Sequence, residues 1–119
     1  MSKEFQSSII KYLEAIKSDY ADFQTITGNQ PLTESQWNIR KKMRLEFNDR
    51  LHYTVGKKYI KVITGSSVHS FIVNTDTDPK FAKGDILKAA GWAAPARNSS
   101  RGNIMSDYTT QWTGAPYIN

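Results

Sequence analysis

The chain has 119 residues, of which 39% are hydrophobic and 12% aromatic, a composition that predicts one folded domain over residues 1–119 and excludes a disordered chain. The absence of cysteine excludes disulfides and thiolate metal sites. No apolar run approaches the roughly 18–20 residues that span a bilayer, and Lys11 and Glu14 interrupt the N-terminal apolar residues, so we expect neither a transmembrane helix nor a secretion signal.

The net charge of +5 is concentrated in one segment. Between positions 40 and 61, eight cations stand against Glu46 and Asp49, which gives this segment a net charge of +6 and leaves the remainder slightly acidic. Such a block favours a polyanionic partner, either nucleic acid or an acidic protein surface. The eight cations are Arg40, Lys41, Lys42, Arg44, Arg50, Lys57, Lys58 and Lys61.

Residues 3–24 are predicted to form an amphipathic helix with Ser2 as its N-cap. Its apolar residues recur at spacings of three and four and therefore share one stripe: Phe5, Ile9, Tyr12, Leu13, Ile16, Tyr20 and Phe23. The stripe either packs on the rest of the domain or forms a dimer seam or a partner-binding surface.

A second helix is predicted from Thr33 to about Leu51. Thr33 and Gln36 have the spacing of a capping box, in which each side chain bonds to the backbone of the other residue. Leu32 and Trp37 have the spacing of a hydrophobic staple. These signals together indicate a well-defined helix start.

The faces of this second helix differ in character. Ile39, Met43 and Phe47 repeat every four residues, are joined by Leu51, and are expected to face the core. The other sides carry cations, which form either an ordinary solvated surface or a phosphate-contacting one. These cations are Arg40, Lys41, Lys42 and Arg44.

Residues 53–75 are rich in β-branched and aromatic residues and predict an antiparallel hairpin with a turn at Gly65–Ser67. Both faces of its strands are partly apolar, which favours a sheet covered on both sides or curled into a small barrel. Successive side chains of a strand point to opposite faces of the sheet. In the first strand, one face is predicted to carry Ile60 and Val62, and the other Tyr59, Lys61 and Ile63. In the second strand, one face is predicted to carry Val68, Ser70 and Ile72, and the other His69, Phe71 and Val73.

The C-terminal third has weaker signals. Residues 86–90 are either one helical turn or a buried strand, because five residues are too few for periodicity to decide. A basic polar loop at 97–103 and a closing hairpin at 104–112 follow. The elements together predict an α+β fold: two helices in residues 1–51 pack on a small, strongly bent antiparallel sheet or half-barrel of four or five strands in residues 52–119.

No residue set has the spacing that catalysis requires. His52 and His69 are the only histidines, which leaves too few ligands for a metal site. Ser99 and Ser100 have no histidine near them in sequence and no nucleophile motif. Asp76 and Asp78 fall in a turn, where aspartate favours local backbone hydrogen bonds. We therefore expect no enzyme, no metal and no cofactor.

The segment from 92 to 103 is the strongest candidate for a binding loop. Its arginines suit phosphates or carboxylates because each offers several donors in one plane. Trp92 either stacks on a base or belongs to the core. The candidate residues of this segment are Trp92, Arg97, Asn98, Arg101 and Asn103.

Residues 57–114 resemble a family of small, uncharacterised proteins of tailed phages, marine cyanophages in particular. The similarity lies in residues 67–71 (SVHSF), 83–90 (KGDILKAA), Trp92, 95–98 (PARN) and 101–104 (RGNI). It implies a viral origin and a location in the host cytoplasm or the virion, and it implies no specific activity.

These observations favour a non-enzymatic protein that binds nucleic acid through phosphate contacts. The alternative is a protein-interaction or virion-associated module that binds an acidic host or viral protein. For the first hypothesis the predicted contact residues are Arg40, Lys41, Lys42, Arg44, Lys57, Lys58, Trp92, Arg97, Asn98, Arg101 and Asn103.

Overall fold

The structure, a computed structural model, describes residues 2–24 and 33–115. Two helices precede four strands, which confirms the α+β fold predicted from the sequence. The helices are α1 (Lys3–Gln24) and α2 (Glu34–Arg50). The strands are β1 (Leu51–Val55), β2 (Tyr59–Thr64), β3 (Ser67–Val73) and β4 (Ile86–Lys88).

The four strands form one open antiparallel sheet in the order β1-β2-β3-β4. The sheet is not closed into a barrel. Gly56 lies in the turn between β1 and β2, where its N–H donates to the Tyr59 carbonyl at 2.9 Å. The predicted turn at Gly65 is confirmed, and this glycine has a φ of 65°, a left-handed conformation that glycine adopts without steric cost.

Helix α1 packs on one face of the sheet, here called the inner face. The Ser2 hydroxyl accepts a hydrogen bond from the Phe5 N–H at 3.1 Å and so caps the helix as predicted. The stripe of α1 buries its apolar residues against the inner face, which confirms that it packs on the domain; Phe23, at its end, is 53% exposed. The core on this side includes Phe5, Ile9, Tyr12, Ile16, Ile60, Val62, Ile72 and Ile86.

The opposite face of the sheet, here called the outer face, carries a second and smaller apolar cluster. Its buried members are Phe71, Val73, Phe81 and Leu87, with Tyr59, Val68 and Ala89 packed against them. The sheet is therefore apolar on both faces, as the mixed alternation of its strands predicted. Loop residues rather than a second layer of helix cover the outer cluster.

One expectation about strand faces is wrong. Val68 packs with the outer cluster, whereas alternation had assigned it to the face of Ser70 and Ile72. The cause is a shift of register between Val62 and Ile63, where β2 opposes β3 irregularly. An extra residue in one strand reverses the side on which the flanking side chains project.

Helix α2 begins as predicted but packs differently. The capping box is present: Thr33 Oγ1 accepts from the Gln36 N–H, and Gln36 Oε1 accepts from the Thr33 N–H at 2.9 Å. Leu32 of the predicted staple lies outside the described residues. Ile39 and Met43 were expected to face the core but are 58% and 47% exposed, and α2 buries none of its seventeen residues.

The C-terminal end of α2 packs on the body, where the Phe47 ring stacks on Tyr20 with centroids 4.2 Å apart. Leu51, which is buried, then starts β1. In the earlier turns of α2, the apolar side chains of Trp37 and Ile39 are each more than half exposed.

The C-terminal segment lies beside β4. Residues 86–88 form a strand, which decides between the two interpretations of that segment. The hairpin predicted at 104–112 does not form two strands; the described residues there make isolated bridges, Gly102 to Tyr108 and Gln111 to Gly114. At Gly102 (φ 120°) a Cβ would lie 2.6 Å from the Tyr108 Cβ, so this close approach requires glycine.

Candidate nucleic-acid interface

A lysine and a tryptophan meet on the outer face of the sheet. Lys61 lies in β2 opposite Phe71 of β3. Its Nζ is 4.6 Å from the centroid of the Trp92 ring and 5.9 Å from that of Phe71, which is the geometry of a cation–π contact. Trp92 is 55% exposed. This tryptophan is therefore a surface residue rather than part of the core, and it presents a flat ring beside a positive charge.

Two further lysines stand at the adjoining β1–β2 turn. Lys57 and Lys58 are exposed. Asn74 holds the turn, since its side chain donates to the Gly56 carbonyl at 2.8 Å and its N–H donates to the Lys58 carbonyl at 2.7 Å. The turn borders an open groove of about 320 Å³ that also reaches Lys61. The residues lining this groove are Thr54, Val55, Gly56, Lys57, Lys58, Tyr59, Lys61, Phe71 and Ala93.

Three lysines and one exposed aromatic ring thus share one surface, here called the lysine–tryptophan surface: Lys57, Lys58, Lys61 and Trp92. Lysine ammonium groups neutralise phosphates as point charges. An exposed indole stacks on a nucleic-acid base in a way that tolerates any base, because every base has a π face. The surface can therefore hold a phosphate backbone and one unpaired base together.

Arg97, a predicted contact residue, is held by an internal ion pair. Its two terminal nitrogens donate to the two carboxylate oxygens of Asp78 at 2.9 and 3.0 Å, and Nη1 also donates to the Tyr59 hydroxyl. The guanidinium, joined by the backbone N–H groups of Lys80 and Phe81, holds the pKa of Asp78 well below its usual range. Arg97 therefore fastens its loop to β2 and has few donors left for a phosphate.

The other polar residues of the predicted binding loop mainly shape the loop. Asn98 Oδ1 accepts from the Ser99 N–H and from Arg101 Nη1, both at 3.0 Å. Asn103 Nδ2 donates to the Lys83 carbonyl and to Asp85, while its Oδ1 accepts from the Met105 N–H. Their positions in the structure explain the loop conformation without invoking a ligand.

The cations of α2 do not lie with this surface. Arg40, Lys41, Lys42 and Arg44 belong to the helix that enters β1 at Leu51, whereas the lysine turn follows β1 at Val55. Five strand residues at about 3.3 Å each place the end of α2 roughly 17 Å from the lysine turn. The basic block of the sequence is thus divided into two regions at opposite ends of β1.

The histidines and serines considered for catalysis have ordinary partners. His52 Nδ1 lies 3.0 Å from the Arg50 carbonyl, and His69 is buried. Ser99 and Ser100 donate to backbone carbonyls of Ser100 and Gly102. Among residues 2–24 and 33–115, no three His, Cys, Asp or Glu side chains come close enough together to hold a metal ion.

Sequence reasoning counted Lys61 in the basic block but did not select it as a contact residue. Alternation along β2 did assign Lys61 and Tyr59 to the same face, which was a usable signal. Its proximity to Trp92 depends on how the loop after β4 folds back over the sheet, and no local pattern encodes that.

No protein-family model, curated protein or solved structure matches this chain. In the part of the chain that the structure describes, no helix is both long enough and apolar enough to cross a membrane.

Proposed function

We propose that this protein binds nucleic acid, without catalysis, through the lysine–tryptophan surface. The observation that carries the proposal is the position of the Lys61 ammonium 4.6 Å from an exposed Trp92 ring, beside a groove that Lys57 and Lys58 border. The net charge of +5 supports attraction of a polyanion. The resemblance of residues 57–114 to small phage proteins is compatible with this role in the host cytoplasm or the virion.

Single-stranded nucleic acid is the favoured ligand. An unpaired base is free to stack on Trp92, while the bases of a duplex already stack on each other. No part of the surface offers the fixed set of donors and acceptors that reads base edges, because lysine side chains are flexible and their contacts are to phosphates. We therefore expect salt-sensitive binding with little sequence preference.

The test is fluorescence anisotropy with labelled single-stranded and duplex oligonucleotides over a range of salt concentrations. Log affinity should fall linearly with log salt concentration. Trp92→Ala should weaken single-strand binding about 5- to 150-fold, because base–aromatic stacking contributes about 1–3 kcal/mol per base. Lys61→Gln should reduce the salt slope by about 0.7, the value for one lost phosphate contact on a single strand.

Lys11→Gln provides the matched control. This lysine is exposed on α1, which covers the inner face, and the substitution removes the same charge. If Lys11→Gln weakens binding as much as Lys61→Gln, only net charge matters and the surface is not the binding site. Absence of binding even at low salt would refute the proposal altogether.

A protein-interaction module is the alternative, and the exposed apolar residues of α2 favour it. Trp37, Ile39 and Leu45 are each more than half exposed. Beside the C-terminal end of α2 lies an open groove of about 540 Å³ with an aromatic lining that includes Tyr20, Phe23, Phe47 and Trp112. The cations of α2 would suit an acidic partner. Such binding would survive nuclease treatment and would be weakened by Ile39→Gln but not by Trp92→Ala.

A further inference from the structure

The two edges of the sheet differ in how they are protected. The outer edge of β4 is paired with the chain that follows it: the Ala96 N–H donates to the Lys88 carbonyl at 2.7 Å, and Ile86 exchanges hydrogen bonds with Gly102 and Arg101 at 2.9 and 2.8 Å. Strand β1 forms the other edge. In the described part of the chain, no backbone segment pairs with the outer side of β1.

The hydrogen bonds at the ends of β1 determine which of its groups face outward. The Gly56 N–H donates to the Tyr59 carbonyl, and the Gly65 N–H donates to the Arg50 carbonyl. In an antiparallel ladder, every second residue bonds to the neighbouring strand, so positions 50, 52, 54 and 56 face β2. The N–H and C=O groups of Tyr53 and Val55 therefore point away from the sheet.

Among residues 2–24 and 33–115, this edge has none of the usual features that prevent pairing with another chain. Natural edges carry lysine, proline, a bulge or a covering segment. The sequence of β1, Leu-His-Tyr-Thr-Val, contains no Lys, Asp, Glu, Arg or Pro, and its pairing with β2 is regular along its whole length. Val55 is 56% exposed, so an apolar side chain accompanies the free backbone groups.

We propose that β1 pairs antiparallel with β1 of a second copy of this chain, about a two-fold axis at Tyr53, to form an eight-stranded sheet. Tyr53 then lies opposite Tyr53 of the second copy, and the two residues exchange a pair of backbone hydrogen bonds. Val55 lies opposite Leu51 of the second copy and donates to its carbonyl. The N–H of Leu51 already donates to the Phe47 carbonyl and cannot donate across the interface. The interface therefore has four backbone hydrogen bonds: two between the Tyr53 residues, and one from each Val55 to Leu51 of the other copy.

Charge complementarity favours a second copy as the occupant. The same register brings Lys57, after β1, toward Asp49 of the second copy, before β1. Both residues are exposed, and the two-fold axis forms this pair of opposite charges twice. The axis is perpendicular to the sheet, so both outer faces, with both lysine–tryptophan surfaces, lie on one side of the dimer. The dimer itself does not depend on nucleic-acid binding.

The test is light scattering coupled to size exclusion on the nuclease-treated full chain at increasing concentrations. We expect the mass to rise from 13.5 kDa toward twice that value. Val55→Pro removes an N–H that points out of the sheet and should therefore give a monomer. The variant should still fold, because proline is tolerated in edge strands. Val55→Lys should weaken dimerisation at least about tenfold, because a charge on the edge opposes pairing.

Ile10→Lys is the matched control, since Ile10 is 50% exposed on α1 and receives the same charge. It should leave the dimer unchanged. Lys57→Asp should weaken the dimer, and adding Asp49→Lys should restore it. Circular dichroism of each variant verifies that it remains folded.

Two results would overturn the proposal. One is a single-chain mass at every concentration up to about 1 mM, beyond the range of most specific associations. The other is a dimer that folded Val55→Lys and Val55→Pro variants leave unchanged, which would assign the contact to another surface such as α2.

Discussion

At the scale of single residues, a buried chain of hydrogen bonds joins three parts of the molecule. His69 Nε2 lies 2.6 Å from the Gln111 carbonyl, which can only accept, so Nε2 carries the proton. In the neutral ring Nδ1 then accepts from the Ser70 hydroxyl at 2.9 Å, and Ser70 Oγ accepts from the Tyr12 hydroxyl at 2.7 Å. The chain links α1, β3 and the C-terminal segment, and in the neutral His69 ring it selects the tautomer with the proton on Nε2.

Burial of these groups makes stability depend on pH. Burial lowers the pKa of His69, and it raises the pKa of Tyr12 to about 12. A histidine whose pKa is lowered in the folded state stays neutral there while the unfolded chain takes up a proton near pH 6.5. The contribution of His69 is therefore complete above about pH 6.5 and is lost as the pH falls below that value toward the lower pKa of the folded state.

We predict that the free energy of unfolding, measured by urea titration, decreases from pH 7.5 to pH 5.5 with a slope of up to about 1.4 kcal/mol per pH unit, the limit for one proton. The His69→Gln variant should be less stable at pH 7.5. Its free energy of unfolding should change little between pH 7.5 and pH 5.5, because glutamine does not titrate. A variant that kept the full slope would show that another group causes it.

At the scale of elements, the two helices show how similar patterns lead to different packing. Both carry apolar residues at spacings of three and four. In α1 the stripe is buried from Phe5 to Tyr20 apart from the half-buried Leu13, whereas in α2 Ile39 and Met43 are exposed and Phe47 stacks on Tyr20. A helical stripe indicates a face that can be buried, and the position of the helix in the fold decides whether it is.

A matched pair of substitutions tests this difference. Ile60→Ala in β2 removes a fully buried side chain and should lower the free energy of unfolding by about 2–5 kcal/mol. Ile39→Ala in α2 removes the same atoms from an exposed site and should change it by less than about 0.5 kcal/mol in a monomer. Chemical denaturation of both variants gives the comparison. A large loss for Ile39→Ala would mean that α2 is buried in solution.

At the scale of the whole molecule, the fold divides the positive charge. The sequence places eight cations within 22 positions. The structure separates those of α2 from those of the β1–β2 turn by the length of β1. In the second group, the Lys61 ammonium lies 4.6 Å from the centroid of the exposed Trp92 ring. Charge reversal of Lys41, Lys42 and Arg44 therefore acts on the group that lies farther from Trp92.

We predict that Lys57→Gln with Lys58→Gln lowers the salt slope of single-strand binding by about 1.4, the value for two phosphate contacts. Lys41→Gln with Lys42→Gln removes the same charge and should weaken binding slightly, with the slope nearly unchanged. The measurement is anisotropy at five or more salt concentrations. Equal changes of slope in both double variants would mean that the nucleic acid spans both regions.

The sequence by itself determined the features that depend on near neighbours: both helices, the Ser2 cap, the Thr33–Gln36 capping box, the hairpin and the α+β class. The helices and their caps follow from contacts within about four residues along the chain, and the hairpin follows from two strand-like segments on either side of a short turn. The tertiary structure alone decided that α2 is exposed, that Arg97 pairs with Asp78, 19 residues away, and that Lys61 lies under Trp92. Such contacts depend on which strands pair and where loops return, and a side chain's partners then follow from topology rather than from its type.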